Sequence, residues 1–130
     1  MKTILLVEDS GPTLEVIKRV LVDLGGYTVL EAHSAKDALR ICDQHPKPIH
    51  LLLCDMMLRD GTGKHVAQRA RAFRPELQVL FISGWPREYL AAKRLLEPYD
   101  ELLQKPLLPA MLLDAVHAAL NPAAVSWPAA

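Results

Sequence analysis

The stretch from Leu51 to Gly63, LLLCDMMLRDGTG, is a run of apolar residues that stops at one carboxylate, Asp55, and then passes through Gly61 and Gly63 into a helical pattern from Lys64. Apolar residues without polar alternation, bounded by turn formers, read as a strand buried on both faces, as in a parallel sheet covered by helices. Asp55 then stands at the carboxyl end of that strand, and the chain after Gly63 crosses back behind the sheet.

Toward the N-terminus, Thr3 to Val7 is a short β-rich run that closes on Glu8 and Asp9 before Ser10-Gly11-Pro12. Leu14, Ile17, Leu21 and Leu24 recur at helical spacing up to Gly25-Gly26, which predicts a helix from Pro12 to Leu24. Tyr27 to Ala32 reads as a second strand. Ser34 with Asp37 predicts a capping box for a helix that buries Ala35, Ala38, Leu39 and Cys42 and stops near His45-Pro46. Toward the C-terminus, Val66, Ala70 and Phe73 line a third helix that ends at Arg74-Pro75. Leu77 to Ser83 predicts a fourth strand, Arg87 to Leu96 a short fourth helix, and Glu101 to Gln104 a fifth strand leading to Lys105-Pro106. Leu112, Val116 and Leu120 line a last helix that ends before Asn121-Pro122. One domain over residues 1–121 is expected, with 122–130 as a disordered tail or linker.

Five strands alternating with five helices predict an α/β, doubly wound, parallel sheet, the flavodoxin-like (βα)5 fold in the order 2-1-3-4-5. Ligands on such sheets bind outside the strands' carboxyl ends at the switch point, here between strands one and three. That crevice would gather Glu8, Asp9 and Asp55, with Ser83 and Lys105 beside them. Two carboxylates about 4 Å apart repel by ~1 kcal/mol in water and by ~4 kcal/mol at an effective dielectric near 20. The cluster therefore calls for a cation, and one lysine is not enough. A hard divalent ion with oxygen ligands, Mg2+, fits best.

Composition narrows the partners. Lysine plus arginine equals aspartate plus glutamate at 15 each, so there is no electrostatic footprint for direct nucleic-acid binding. No apolar run is long enough for a membrane span, MKTILLVEDS turns acidic too early for a signal peptide, and a cytoplasmic location is the default expectation. Cys42 and Cys54 fall in a helix and a buried strand, which favours thiols over a disulfide. The five histidines show no metal-ligand spacing. Gly61-Thr62-Gly63-Lys64 misses the phosphate-loop pattern, because Leu58 and His65 stand where glycine and a hydroxyl residue are needed.

Over residues 2 to 120 these features resemble the receiver domains of two-component response regulators. Glu8-Asp9 matches that family's acidic pair, Asp55 its phosphoacceptor, Gly63 the glycine eight residues on, Ser83 its Thr/Ser, and Lys105-Pro106 its Lys-Pro. The resemblance implies that a sensor histidine kinase or phosphotransfer protein donates a phosphoryl group to Asp55. It further implies Mg2+ on Asp9, Asp55 and the Met57 backbone carbonyl, with Glu8 acting through water, and a cis peptide before Pro106. The chain departs from the family at Leu102, where an aromatic switch residue is common, and at Arg59, where proline is frequent. Met57 and Trp85 occupy positions that in the family flank the path of hydrolytic water, so they are expected to shield an acylphosphate. Ser83 is expected to couple phosphorylation to the face of helix four, strand five and helix five, which also offers a homodimer surface.

Three other readings remain open. A relay module of a hybrid histidine kinase shares the motifs and resembles the FISGW and LLQKP segments, although Met1 directly before strand one favours a stand-alone regulator. A Mg2+-dependent phosphatase with Asp55 as nucleophile would want a second aspartate where Met57 stands. A pseudo-receiver would lose part of the acidic set, all of which is present.

Overall fold

The computed structural model describes residues 1–122; from residue 123 on, the expected tail lies outside the described residues. The chain runs β1 (Thr3–Val7), α1 (Gly11–Arg19), β2 (Thr28–Ala32), α2 (Ala35–Gln44), β3 (Leu51–Asp55), β4 (Met57–Leu58), β5 (Gly61–Thr62), α3 (Gly63–Phe73), β6 (Gln78–Ser83), α4 (Arg87–Ala92), β7 (Leu102–Gln104) and α5 (Pro109–Leu120). The main sheet is parallel in the order β2-β1-β3-β6-β7. With β6 and β7 as the fourth and fifth sheet strands, this is the predicted flavodoxin-like order.

The central strand β3 is buried at every position because it is paired on both edges and covered on both faces. Its alternate residues feed two cores. Leu52 and Cys54 pack with Leu5, Val7 and Phe81 against α2, α3 and Leu90 of α4. Leu51 and Leu53 pack with Ile4, Leu6 and Ile82 against Leu14 and Ile17 of α1 and Leu112 and Val116 of α5. Doubly covered strands need apolar side chains on both faces, hence the unbroken LLLC run.

Several local expectations are corrected. The predicted first helix is helical to Leu24, but Val20–Leu24 is π-helical, with the Gly25 amide donating to the Val20 carbonyl at 3.1 Å. The fourth helix ends at Ala92 instead of Leu96, because Arg94 takes a left-handed φ of 59° and turns the chain. Leu90 and Leu96 are still buried. The loop after Asp55 is an antiparallel hairpin, β4 with β5, pairing Met57 with Thr62 and Leu58 with Gly61.

The capping box on α2 is only half formed. Ser34 Oγ accepts the Asp37 amide at 3.0 Å, but the Asp37 carboxylate pairs with Arg40. The Ala35 and Lys36 amides are instead taken by the carboxylate of Asp60, at 2.8 and 3.1 Å. A helix start leaves its first amides without intrahelical partners. Here a residue from the β4–β5 turn supplies them, and those two bonds hold the Asp60 carboxyl below its ordinary range.

His50, just before β3, fixes the start of β1. Its amide donates to the Thr3 carbonyl at 2.9 Å, and its Nδ1 accepts the Thr3 amide at 3.0 Å. Burial, then the charges of Lys2 and the N-terminus, hold its pKa below 6.5. A lowered histidine is neutral in the folded chain where it would be charged in the unfolded one, so its contribution is full above the unfolded value and lost as pH falls through the folded one. Urea midpoints should therefore fall below about pH 6.5, and His50→Leu should remove that part of the slope; equal slopes in both proteins would contradict this account.

Candidate functional site

Each residue of the site stands at the carboxyl end of a parallel strand. β1 runs into Glu8 and Asp9, β3 ends at Asp55, β6 ends at Ser83, and β7 runs into Lys105. Apolar runs bury the strands and stop at these polar residues, so the side chains emerge in one crevice. The Lys105 amide donates to the Ser83 carbonyl at 2.8 Å, which extends the β6–β7 pairing to the lysine. The Lys105–Pro106 peptide is cis, as expected.

Lys105 Nζ lies 2.7 Å from Glu8 Oε1 and 2.7 Å from Asp55 Oδ2. Glu8 is 1% exposed, and Asp55 is also buried. Burial pushes the Glu8 carboxyl above its ordinary value and nearby Asp55 adds to this, while Lys105 opposes both. For Lys105, burial draws the ammonium down, but the hydrogen bonds to Asp55 and Glu8 outweigh it and its pKa is raised. The second Asp55 oxygen, Oδ1, accepts the Met57 amide at 3.0 Å.

The structure brings Glu8, Asp55 and Lys105 into direct contact, and Asp9 follows Glu8 in the chain. Asp9 Oδ2 accepts the Arg59 amide at 2.9 Å. Among the described residues, no group of three His, Cys, Asp or Glu side chains is close enough to hold a metal ion. Glu8 and Asp55 thus form a two-carboxylate pair around an ammonium, with Asp9 bonded to the Arg59 amide. The physical reason is the one that called for a cation: Lys105 reaches the buried pair and neutralises part of its charge. The donors all carry carboxylate or carbonyl oxygen, which suits a hard divalent cation.

Ser83 is fully buried, and its Oγ accepts the Trp85 amide at 2.8 Å, which ties the end of β6 to the turn into α4. Met57 is 42% and Trp85 50% exposed, and Trp85 stacks on Tyr89 with ring centroids 4.8 Å apart. Both side chains are thus about half-exposed. Cys54 donates to the Asp55 carbonyl at 3.3 Å, and burial holds its thiol well above the ordinary range, so it is an inert neighbour. Cys42 is likewise a buried free thiol.

Gly63 is positioned by close approach. A Cβ there would lie 2.8 Å from the Asp55 carbonyl oxygen, 3.0 Å from Met56 Cα and 3.1 Å from Phe81 Cδ1. Asp60 is the residue that sequence reasoning missed. Its only local signal is an acidic residue before Gly61, and its partners lie 25 and 24 positions back in the chain.

Comparison with known proteins places this fold in a family. The family model described as "Response regulator receiver domain" matches residues 4–117. The phosphate regulon transcriptional regulatory protein PhoB of Pseudomonas aeruginosa is 30% identical over 123 residues, covering 92% of this chain and 52% of its own length. The chain thus spans about half the length of that relative. The crystal structure of a CheY-like receiver domain protein from Methanospirillum hungatei superposes with a TM-score of 0.81 at 26% identity, covering 94% of this chain and 95% of that one. The receiver domain of the hybrid histidine kinase CckA gives a TM-score of 0.75 at 31% identity, covering 91% and 98%. No helix among the described residues is long and apolar enough to cross a membrane.

Proposed function

The chain belongs to the response regulator receiver domain family of two-component systems, and on that premise we propose that Asp55 accepts a phosphoryl group from the phosphohistidine of a sensor histidine kinase or phosphotransfer protein. The observation that carries the reading is the buried Asp55 carboxylate held between the Lys105 ammonium and the Met57 amide. An Asp55 oxygen attacks phosphorus, the P–N bond breaks, and the imidazole leaves with the electron pair and takes a proton. Such transfers need positioning and charge neutralisation more than covalent help. Lys105 and the Ser83 hydroxyl supply part of this at the phosphoryl oxygens, and the Met57 amide orients the nucleophile. Asp9, Asp55 and the Met57 carbonyl would hold Mg2+, with Glu8 acting through water. When bound, that ion neutralises negative charge on the transferring group.

The signal is read through protein contacts. Ser83 reaches the turn into α4 through the Trp85 amide, which supports α4, β7 and α5 as the responsive face; a homodimer through that face is part of the same proposal. Leu102 on β7 replaces the aromatic switch expected there, so the response rests on Ser83. The likeness to the CckA receiver also supports a second reading, a relay module of a hybrid kinase.

The deciding experiment is acetyl phosphate with Mg2+ followed by intact mass. A phosphoryl adduct on the wild type and none on Asp55→Asn is the expected result. An adduct that persists in Asp55→Asn, or none on wild type with either acetyl phosphate or a phosphorylated donor domain, overturns the assignment.

A further inference from the structure

We propose that Asp60 is a positioning residue for Asp55: by bonding the turn of the β4–β5 hairpin to the first amides of α2, it holds the Met57 amide against the Asp55 carboxylate. The effect on phosphoryl uptake rests on the reading of Asp55 above; the effect on the Met57 amide does not.

The hairpin cannot hold itself. Each of its strands is two residues long, and even longer two-stranded hairpins are marginal in water without outside support. Its root is fixed by the Gly63 amide on the Met56 carbonyl at 2.8 Å and by burial of Leu58 in the α2–α3 core. Its turn has two further ties. One is the Arg59 amide on Asp9 Oδ2 at 2.9 Å. The other is Asp60, whose two oxygens take the Ala35 and Lys36 amides at 2.8 and 3.1 Å.

These ties differ in permanence. Asp9 is a proposed cation ligand, so the carboxylate that accepts the Arg59 amide would be shared with the ion. Asp60 bonds to a helix anchored by the buried Ala35, Ala38 and Cys42. A carboxylate on two successive amides at a helix start gains from charge-assisted bonds and from the helix dipole. The turn lies against that helix, since a Cβ at Gly61 would make ordinary contact with Ala35 Cβ at 3.6 Å. Asp60 therefore ties the hairpin turn through a carboxylate that the cation site does not share. Met57 rides on the hairpin and presents its amide to Asp55 Oδ1.

A purely structural role, capping α2, is separable. Ser34 caps the same helix at the Asp37 amide, and its hydroxyl is not among the bonds that tie down the hairpin. The test compares Asp60→Ala, Asp60→Asn and Ser34→Ala by amide hydrogen exchange on the unphosphorylated full chain in chelator. Asp60→Ala should lower protection of the Met57 amide by about tenfold while Ser34→Ala leaves it near wild type. Asp60→Asn, with one acceptor oxygen left, should fall between. Unchanged Met57 protection in Asp60→Ala, or equal losses in Asp60→Ala and Ser34→Ala, overturns the proposal. With acetyl phosphate and saturating Mg2+, uptake by Asp60→Ala should slow by about tenfold, as small misplacements of a reacting group do, and Ser34→Ala should not slow. A wild type that takes no phosphate would sink the Asp55 reading while the exchange data still decide Asp60.

Discussion

Lys105→Met is expected to destabilise the metal-free protein by about 3 kcal/mol at neutral pH, because it leaves two buried carboxylates facing each other without their ammonium. Glu8 Oε1 and Asp55 Oδ2 each lie 2.7 Å from Nζ, so they sit within twice that distance of one another. Unit charges at such range repel by about 3 kcal/mol at an effective dielectric near 20. The sign of the pH dependence follows from Glu8. Its folded pKa already lies above the ordinary 4.5, raised first by burial and lowered by Lys105. Removing the lysine raises it further. A carboxyl raised in the folded state contributes stability below its unfolded value and loses it as pH rises through the folded one. The deficit against wild type should therefore be small near pH 4 and grow toward pH 7, measured as urea midpoints in chelator; a deficit that does not change with pH would count against the charge account. Phosphoryl uptake by the variant should fall by roughly a hundredfold or more, the usual loss on removing one group that stabilises developing charge.

Gly63→Ala is expected to lose about 2 kcal/mol of stability, within the usual range for an overpacked site, and to slow uptake as well. The added methyl would press on the Asp55 carbonyl oxygen at 2.8 Å and on Met56 Cα at 3.0 Å, both backbone atoms of the segment that carries the nucleophile. Side chains can rotate out of a clash, but these atoms can yield only by moving the chain. Gly61→Ala is the internal control, since its methyl would meet only Ala35 Cβ at 3.6 Å. Chemical denaturation and acetyl phosphate kinetics on the two variants check this. Equal behaviour of the two would show that close approach is not why glycine stands at position 63.

Much of this site was legible because buried parallel strands write themselves plainly. LLLCD could end only where the core ended, so Asp55 was placed, and ILLVED placed Glu8 and Asp9 by the same logic. What failed to show was whatever depends on short elements or on contacts distant in sequence. Met57–Leu58 and Gly61–Thr62 are too short to carry a period, so a hairpin read as loop. Over Val20–Leu24 the apolar spacing is as compatible with a π turn as with an α turn. Arg94 has no glycine or asparagine to announce its left-handed turn. The orientation of Asp9 was equally hidden, since it depends on the Arg59 amide fifty residues away. Arg74 gave only a helix stop, yet its guanidinium donates to the carbonyls of Cys42, His45 and Lys47 and closes the end of α2.

The outer strands of the sheet bear on how the protein behaves when crowded. An unpaired strand edge is a template onto which another chain can add and begin an aggregate. β7 offers only the three residues Leu102–Gln104, and β2 carries Glu31, paired with Lys18 of α1 at 3.0 Å. A foreign strand approaching β2 meets a charged pair, and one approaching β7 finds little backbone to bond. Concentrated solutions should therefore resist cross-β assembly, and the sheet can serve as a rigid platform for transient partners without recruiting them into itself.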